Sequence, residues 1–232
     1  MNENMVDVAK SKYFLYIGIL FVVVLMISNT TGVKLIQLGS FVFSGAIFVF
    51  PISYIFGDIL TEVYGYKASR KIIWAGFASL ILMTFCYWLV GMLPAASFWP
   101  NQGAYEAILG AVPRIVLASM IAYFAGEFSN SFVLSKMKVW MEGKYLWMRT
   151  IGSTIVGEGV DSIIFASVAF YGTMPFSALV SLILSIYIFK VLYEILATPL
   201  TYLIVNKLKK AEGIDVYDRG ISYNPFKFSD RI

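Results

Sequence analysis

The sequence has no histidine and a single cysteine, Cys86, among its 232 residues. Zinc sites with histidine ligands and the Ser-His or Cys-His pairs of many hydrolases therefore cannot be built. One cysteine forms no internal disulfide, and Cys86 lies in an apolar run, where a thiol typically packs as an inert side chain. A GxxxxGK[ST] loop is also missing, so this chain does not bind ATP through a P-loop of its own.

Charged residues are scarce as well. They make up 14% of the chain, and hydrophobic residues make up 59%, whereas soluble domains carry about 25% charged residues. The mean hydropathy is +0.77, and a membrane-spanning helix needs about 20 mainly apolar residues. We therefore predict an all-α integral membrane protein. Residues 1–232 are expected to form a single transmembrane domain with a cytoplasmic tail at 207–232 and six helices near 13–32, 41–60, 71–93, 113–135, 150–172 and 177–206.

The basic residues predict the orientation of these helices. If the N-terminus is cytoplasmic, 15 of the 18 lysines and arginines fall in inside segments, and the exceptions are Lys34, Arg114 and Lys190. The positive-inside rule therefore predicts that both termini are cytoplasmic. The net charge of +4 follows from this topology and needs no nucleic-acid partner. The basic run KLKK at 207–210 is interpreted as a solvated flank of the last helix or as a contact with anionic lipid.

Five ionisable side chains are expected near the middle of the membrane. Glu127 lies in the fourth window, Glu158 and Asp161 lie in the fifth, and Lys190 and Glu194 lie in the sixth. Each costs about 2.5 to 3.5 kcal/mol at a helix centre, so such residues usually face a cavity or a partner. Lys190 and Glu194 are one turn apart and are equally well explained as a local ion pair. For Glu158 and Asp161, which have no base nearby in sequence, we favour a ligand-binding or coupling role over interhelical pairing.

Small residues recur every four positions in the fourth and fifth windows, a spacing that lets two helices approach closely. Packing alone explains them. Gly157 and Gly159 also flank Glu158, so that a substrate or a neighbouring backbone could come near this carboxylate. The repeats are Ala118, Ala122 and Gly126 in the fourth window, and Ser153, Gly157 and Asp161 in the fifth.

A second group of polar residues lies at the end of the second window. Tyr54, Asp58 and Glu62 are spaced by four, which places a phenol and two carboxylates on one helix face. With Arg70 they are interpreted as an inner gate. The alternative is a solvated helix end whose acids balance the bases at positions 67, 70 and 71.

Polar residues also mark the outer ends of two windows. The run SNTTG at 28–32 ends the first window and contains Asn29, and Arg114 begins the fourth window. These residues are interpreted as an entrance or as interfacial caps.

Four ordered motifs resemble the queuosine precursor transporter family, also called the vitamin uptake transporter family. They are FPxSYxxGDxxTEVYGYxxSR from residue 50, RIxLASxxAYxxGE from 114, STxxGExxDSxxFxxxAF from 153 and KxxYEIxxTPLTY from 190. The resemblance extends from Asn29 to about Asp218. It carries over to Asn29, Tyr54, Asp58, Glu62, Arg70, Arg114, Glu158, Asp161, Lys190 and Glu194.

The resemblance implies a six-helix bundle similar to the substrate-binding S components of energy-coupling-factor vitamin importers. It implies import, across the bacterial cytoplasmic (inner) membrane, of precursors of the tRNA nucleoside queuosine. These are 7-cyano-7-deazaguanine, its aminomethyl counterpart and the free base queuine. No cofactor is expected, while a homo-oligomer and a separate ATPase module stay open. The alternatives are another S-component-like importer, a membrane enzyme that uses paired carboxylates and a structural subunit.

The ligand's chemistry matches the acids. A deazaguanine presents a ring N–H and an exocyclic amine side by side, and one carboxylate can accept both hydrogen bonds. Glu158 is the first choice for this role and Asp161 the second. The carbonyl edge needs a donor, such as Lys190, Asn130 or a backbone N–H. Glu127, Glu158 and Asp161 are also candidate proton carriers, and the candidates for an aromatic wall are Tyr123, Phe165 and Phe170.

Overall fold

The structure, a computed structural model, describes residues 8, 11–38, 41–110, 113–170, 172 and 175–227. The side chains of 35, 37–38, 41–44, 113–116 and 169–170 are not described. Lys10 and Arg231, which contribute to the predicted orientation, therefore lie outside the described residues. The side chains of Arg114 and Phe170 lie outside them too.

Helices dominate the described part of the chain. Two short strands, β1 (Leu35–Leu38) and β2 (Phe41–Ser44), form an antiparallel hairpin, followed by a 3-10 turn at Gly45–Phe48. The second helix was predicted to start at residue 41, but β2 occupies its first four residues. The β-branched and aromatic residues of this strand suit extended backbone. The helices are α1 (Phe14–Thr31), α2 (Phe50–Tyr64), α3 (Tyr66–Gly91), the short α4 (Gln102–Tyr105), α5 (Pro113–Trp140), α6 (Leu146–Phe170) and α7 (Phe176–Glu212).

Local sequence explains where α2 begins and ends. Pro51 occupies the first turn, where a missing backbone N–H costs no helical hydrogen bond. Gly65 follows the helix with φ of +84°, a conformation that glycine adopts without the Cβ clash of other residues. The chain therefore turns sharply between α2 and α3, and both helices present polar side chains near this turn.

Five segments of the described chain are long and apolar enough to cross a membrane, which supports an α-helical integral membrane protein. The fourth predicted window coincides with α5, a helix of 28 residues that is not among the five. The six-span count and the cytoplasmic placement of both termini therefore stay predictions. The five segments are Phe14–Thr31, Gly45–Tyr64, Tyr66–Gly91, Leu146–Val168 and Phe176–Glu212.

The bundle is apolar outside and charged inside. In α7, Ile188, Leu192 and Leu196 repeat every four residues and are exposed, with Leu196 81% exposed. Lys190 and Glu194 lie on another face of the same helix and are buried. This arrangement suits lipid outside and a polar centre within the bundle.

The small-residue repeats bring α5 and α6 together. A Cβ placed on Gly126 would lie 2.9 Å from the carbonyl oxygen of Gly157, and a Cβ on Gly157 would lie 2.9 Å from the carbonyl oxygen of Gly126. Backbone therefore packs on backbone at this crossing, as the repeats predicted. Asn130 also packs against Gly157, so the space beside Gly157 is filled by α5.

Candidate functional site

Lys190 of α7 bridges two acids of α6. Its ammonium nitrogen lies 2.7 Å from Oε2 of Glu158 and also pairs with Oδ2 of Asp161. The three-residue spacing of the acids puts both on the same face of α6. Glu158 is 1% exposed and Asp161 is 3% exposed. The base that these acids lacked in sequence thus comes from α7, and Lys190 contacts α6 instead of forming the local pair with Glu194.

Two aromatic rings of α2 lie beside the ammonium group of Lys190, and a ring of α5 packs on them. It lies 4.7 Å from the ring centroid of Phe50 and 5.9 Å from that of Tyr54, within range of cation–π attraction. Tyr123 of α5 packs edge-on against both rings, at centroid distances of 5.3 Å from Phe50 and 5.5 Å from Tyr54. These three residues form the aromatic wall of the site.

Two further acids lie on α2 and α5. Asp58 accepts a 2.6 Å hydrogen bond from Nδ2 of Asn130, and its other carboxylate oxygen has no hydrogen-bond partner among the described residues. Glu127 lies near the hydroxyls of Tyr123 and Ser131, but neither of its oxygens meets a described donor at hydrogen-bonding geometry. Both acids are completely buried.

These groups form one assembly, which we name the central cluster. Glu194 belongs to it because it is buried one turn after Lys190 on α7, near Asp58 and Glu158, and its Oε1 has no described hydrogen-bond partner. Five acids therefore share one described base. The members of the central cluster are Asp58, Glu127, Glu158, Asp161, Lys190 and Glu194.

Glu62 does not belong to the central cluster. Its carboxylate is completely buried and pairs with Arg149 of α6 and, at 2.5 Å, with Lys209 of α7. Lys138 of α5 lies 3.7 Å away and also pairs with Asp215, which is 2.9 Å from Lys209. We name these five residues the C-terminal network.

The predicted gate residues of α2 are thus divided between two assemblies. Asp58 belongs to the central cluster, with Tyr54 in the aromatic wall beside it, and Glu62 belongs to the C-terminal network. The alternative of a solvated helix end does not fit the structure, because Glu62 is buried and its basic partners come from α5, α6 and α7. The gate stays a prediction.

Arg70 holds the segment after α7. It donates hydrogen bonds to the carbonyl oxygens of Asn224, at 2.8 Å, and Ser222, at 3.4 Å. Asp218 in the same segment accepts bonds from the backbone N–H of Tyr66, at 2.8 Å, and from the hydroxyl of Ser135, at 2.7 Å. Burial raises the pKa of Asp218 above its usual value. Arg70 therefore joins the start of α3 to the C-terminal segment.

Of the two predicted entrance residues, Asn29 has a described side chain, and its hydrogen bond lies within α1. Asn29 donates its amide hydrogen to the carbonyl oxygen of Leu25, at 2.9 Å. It also lines a small cavity between α1 and α3 together with Tyr87 and Trp88. Arg114 lies in the first turn of α5, and its side chain is not described.

Comparison with known proteins identifies the family of this chain. A family model described as "Putative vitamin uptake transporter" matches residues 44–204, more than half of the chain. The chain belongs to this family. Among curated proteins, it is 33% identical over 146 residues to the "Probable queuosine precursor transporter" of Bacillus subtilis (strain 168), covering 62% of this chain and 64% of that protein. It is 25% identical over 124 residues to the "Queuosine precursor transporter" of Escherichia coli (strain K12), covering 53% of each.

These matches span between about half and two thirds of the length of the relatives. No solved structure matches the chain. The names of the family and of the relatives are those of transporters and not of enzymes. The predicted family is therefore confirmed, and the matched region contains every member of the central cluster.

Sequence reasoning about this family member missed two features of the site. Phe50 was not proposed for the aromatic wall, although it lies one turn before Tyr54 on the same face of α2. The three basic partners of Glu62 were also missed. Lys138 and Arg149 were used only for the orientation, and Lys209 was interpreted as part of a solvated flank or a lipid contact, because pairs separated by 87 and 147 residues leave no local signal.

Proposed function

We propose that this family member imports 7-deazaguanine precursors of queuosine across the bacterial cytoplasmic membrane. The proposed topology has six spans with both termini inside. The names of the curated relatives support this substrate class. The observation that carries the proposal is a buried pair of carboxylates, Glu158 and Asp161, bridged by a lysine beside an aromatic wall.

Lys190 suggests how the site binds its ligand. Its ammonium donates a hydrogen bond to Asp161 and forms an ion pair with Glu158, so it occupies the side from which the ring N–H and the exocyclic amine of a deazaguanine would donate. When the ligand enters, its donor edge replaces Lys190 at Glu158 in a bidentate, charge-assisted pair. Lys190 stays with Asp161 and donates to the carbonyl oxygen of the ligand. In this exchange Glu158 keeps hydrogen-bond donors and Asp161 keeps its counter-ion, which limits the cost of burial.

The aromatic wall suits a flat heterocycle. Phe50, Tyr54 and Tyr123 pack edge to face with each other, and an aromatic ligand can add to such a group by the same geometry. The wall contacts the ammonium of Lys190, so a ring bound at Glu158 would lie close to it. The aminomethyl precursor brings its own ammonium, for which Asp58 and Glu194 are the candidate partners.

Uptake in cells tests the proposal. In a strain unable to make queuosine, each precursor is supplied at low concentration, and queuosine in tRNA is measured with and without this protein. We expect the wild-type chain to restore modification. We expect Glu158→Gln to lower the initial rate about tenfold or more, because a hydrogen bond to a charged group contributes about 1.5 to 3 kcal/mol. Asp161→Asn should act in the same direction.

Glu106→Gln is the matched control. Glu106 is an exposed acid after α4 whose recorded side-chain bond is to Gln102, so this variant should restore modification like the wild type. Membrane levels of all variants are compared by immunoblot. If the wild-type chain never restores modification, the function is wrong. If both site variants restore it fully at equal protein levels, the site is wrong.

A further inference from the structure

Glu127 is the least satisfied acid of the central cluster. It is completely buried, and both of its carboxylate oxygens lack a described hydrogen-bond partner. It also packs directly against the backbone of α2 at Gly57, because a Cβ built on this glycine would collide with Oε1 of Glu127. The absence of a side chain at position 57 thus lets α2 close directly on this carboxyl group.

No described cation faces Glu127. The nearby titratable groups are Tyr54 and Asp58 on α2, Tyr123 on α5, and Glu158 and Asp161 on α6. On the side of α3, the apolar ring of Phe77 packs against Tyr123. The single base of the cluster, Lys190 on α7, is bound to Glu158 and Asp161.

An ionised carboxylate is unfavourable in these surroundings. A buried charge without a counter-ion or donors is strongly destabilised, and such a group takes up a proton instead. A neutral carboxyl group, in contrast, can bury its hydrogen beside the hydroxyls of Tyr123 and Ser131. The packed conformation of α2 on α5 is therefore the conformation in which Glu127 carries a proton.

We propose that Glu127 is the proton-binding site that couples uptake to a proton gradient. The inference rests on the proposed function and adds its energy source. Glu127 takes up a proton from the outer side, the neutral side chain allows α2 and α5 to close around the substrate, and opening toward the cytoplasm hydrates the carboxyl group and releases the proton. One proton enters with each substrate molecule.

Transport by the purified full chain in lipid vesicles tests this coupling, with 7-cyano-7-deazaguanine as the probe. Exchange of labelled for unlabelled probe is measured without a gradient, and accumulation is measured with the outside more acidic than the lumen. For one proton per neutral substrate, a gradient of about one pH unit supports about tenfold accumulation. We expect this accumulation in the wild type, together with entry of protons that depends on the probe and is followed with a pH-sensitive dye in the lumen.

Glu127→Gln should abolish accumulation and proton entry. Any exchange that this variant retains should no longer change with pH. Glu106→Gln is the control for removal of a carboxylate and should accumulate probe like the wild type. Accumulation by Glu127→Gln at the wild-type level would overturn the proposal.

Measurements on the wild-type chain alone also test the proton coupling and the proposed function. If it exchanges probe but a proton gradient drives neither accumulation nor proton entry, proton coupling is wrong while the proposed function stands. Accumulation only with ATP and a separate ATPase module would overturn the coupling in the same way. If the wild type exchanges no probe at all, the proposed function fails and the inference fails with it. These wild-type outcomes decide the question even if Glu127→Gln does not fold.

Discussion

The central cluster and the C-terminal network both bury charged side chains, but their charges balance differently. The central cluster has five acids for one described base, and several of its oxygens have no described donor. The C-terminal network has two acids, Glu62 and Asp215, for three bases. Each of its acids contacts at least two bases.

This difference separates a structural role from a functional one. A buried ion pair is tolerated when geometry and hydrogen bonds compensate for lost hydration, and the C-terminal network meets that condition where α2, α5, α6 and α7 meet the segment after α7. The central cluster does not meet it from the described residues alone. Its excess of acid is explained if protons and a ligand rich in donors complete it during transport. Substitutions in the two assemblies should therefore affect different properties.

The largest effect on stability is expected from Arg149→Met. Arg149 is 1% exposed, pairs with Glu62 and donates to the carbonyl oxygens of Gly143, at 2.9 Å, and Lys144, at 3.0 Å. Removing one partner of a buried pair costs about 3 to 5 kcal/mol, and we expect about 3 because Lys209 still contacts Glu62. Thermal unfolding in detergent measures the loss.

Lys144→Met is the matched control for this loss. The side chain of Lys144 is exposed, and the free energy of unfolding should change by no more than about 0.5 kcal/mol. Equal stability of Arg149→Met and Lys144→Met would show that the C-terminal network does not stabilise the fold.

A smaller effect is expected from Glu194→Gln in the central cluster. Glu194 is 3% exposed, and neutralising it removes one acid from a cluster in which the acids outnumber the described base. We expect the free energy of unfolding to change by less than about 1 kcal/mol, because the amide replaces the carboxylate with little change of volume. The same unfolding assay measures it. A loss as large as that of Arg149→Met would mean that the two assemblies have the same structural role.

The smallest expected effect is a pH dependence of the stability that Asp215 contributes to the C-terminal network. Burial works to raise the pKa of Asp215, but the ammonium groups of Lys138 and Lys209 outweigh it and hold this pKa below its usual value. The stabilisation is therefore present above the ordinary carboxyl pKa of about 3.9 and is lost as pH falls through the lowered folded value. The side chain is 41% exposed, so the pair is expected to contribute at most about 1 kcal/mol.

Asp215→Asn checks this sign. Its melting temperature should lie slightly below that of the wild type at neutral pH, and the difference should shrink as the solution becomes more acidic than the ordinary carboxyl pKa. A difference that grows on acidification would contradict the lowered pKa.

The sequence predicted the central group of acids but not the C-terminal network. Charged residues are easy to recognise within apolar windows, because burying them in a membrane is costly. The positions of Glu127, Glu158 and Asp161 in apolar windows were enough to predict a central group of acids. The small-residue repeats likewise predicted the close approach of α5 and α6 at Gly126 and Gly157.

What the sequence could not predict is which base meets which acid. The four-residue spacing of Asp58 and Glu62 on α2 placed both on one face, but a helix rises about 6 Å over four residues. That distance is enough for Asp58 to meet Asn130 while Glu62 meets Arg149 and Lys209. Lys190 could pair locally or across helices with equal plausibility, and only the packing of α6 on α7 decides between them.

Direct binding tests most simply whether the buried carboxylates bind the ligand. Purified full-length protein is titrated with 7-cyano-7-deazaguanine, and the bound compound is recovered and identified. We expect saturable binding of an unchanged ligand, affinity about tenfold or more lower in Glu158→Gln, and wild-type affinity in Glu106→Gln. Equal affinity in all three proteins, or no binding by the wild type, would contradict the assignment of the buried carboxylates to the ligand.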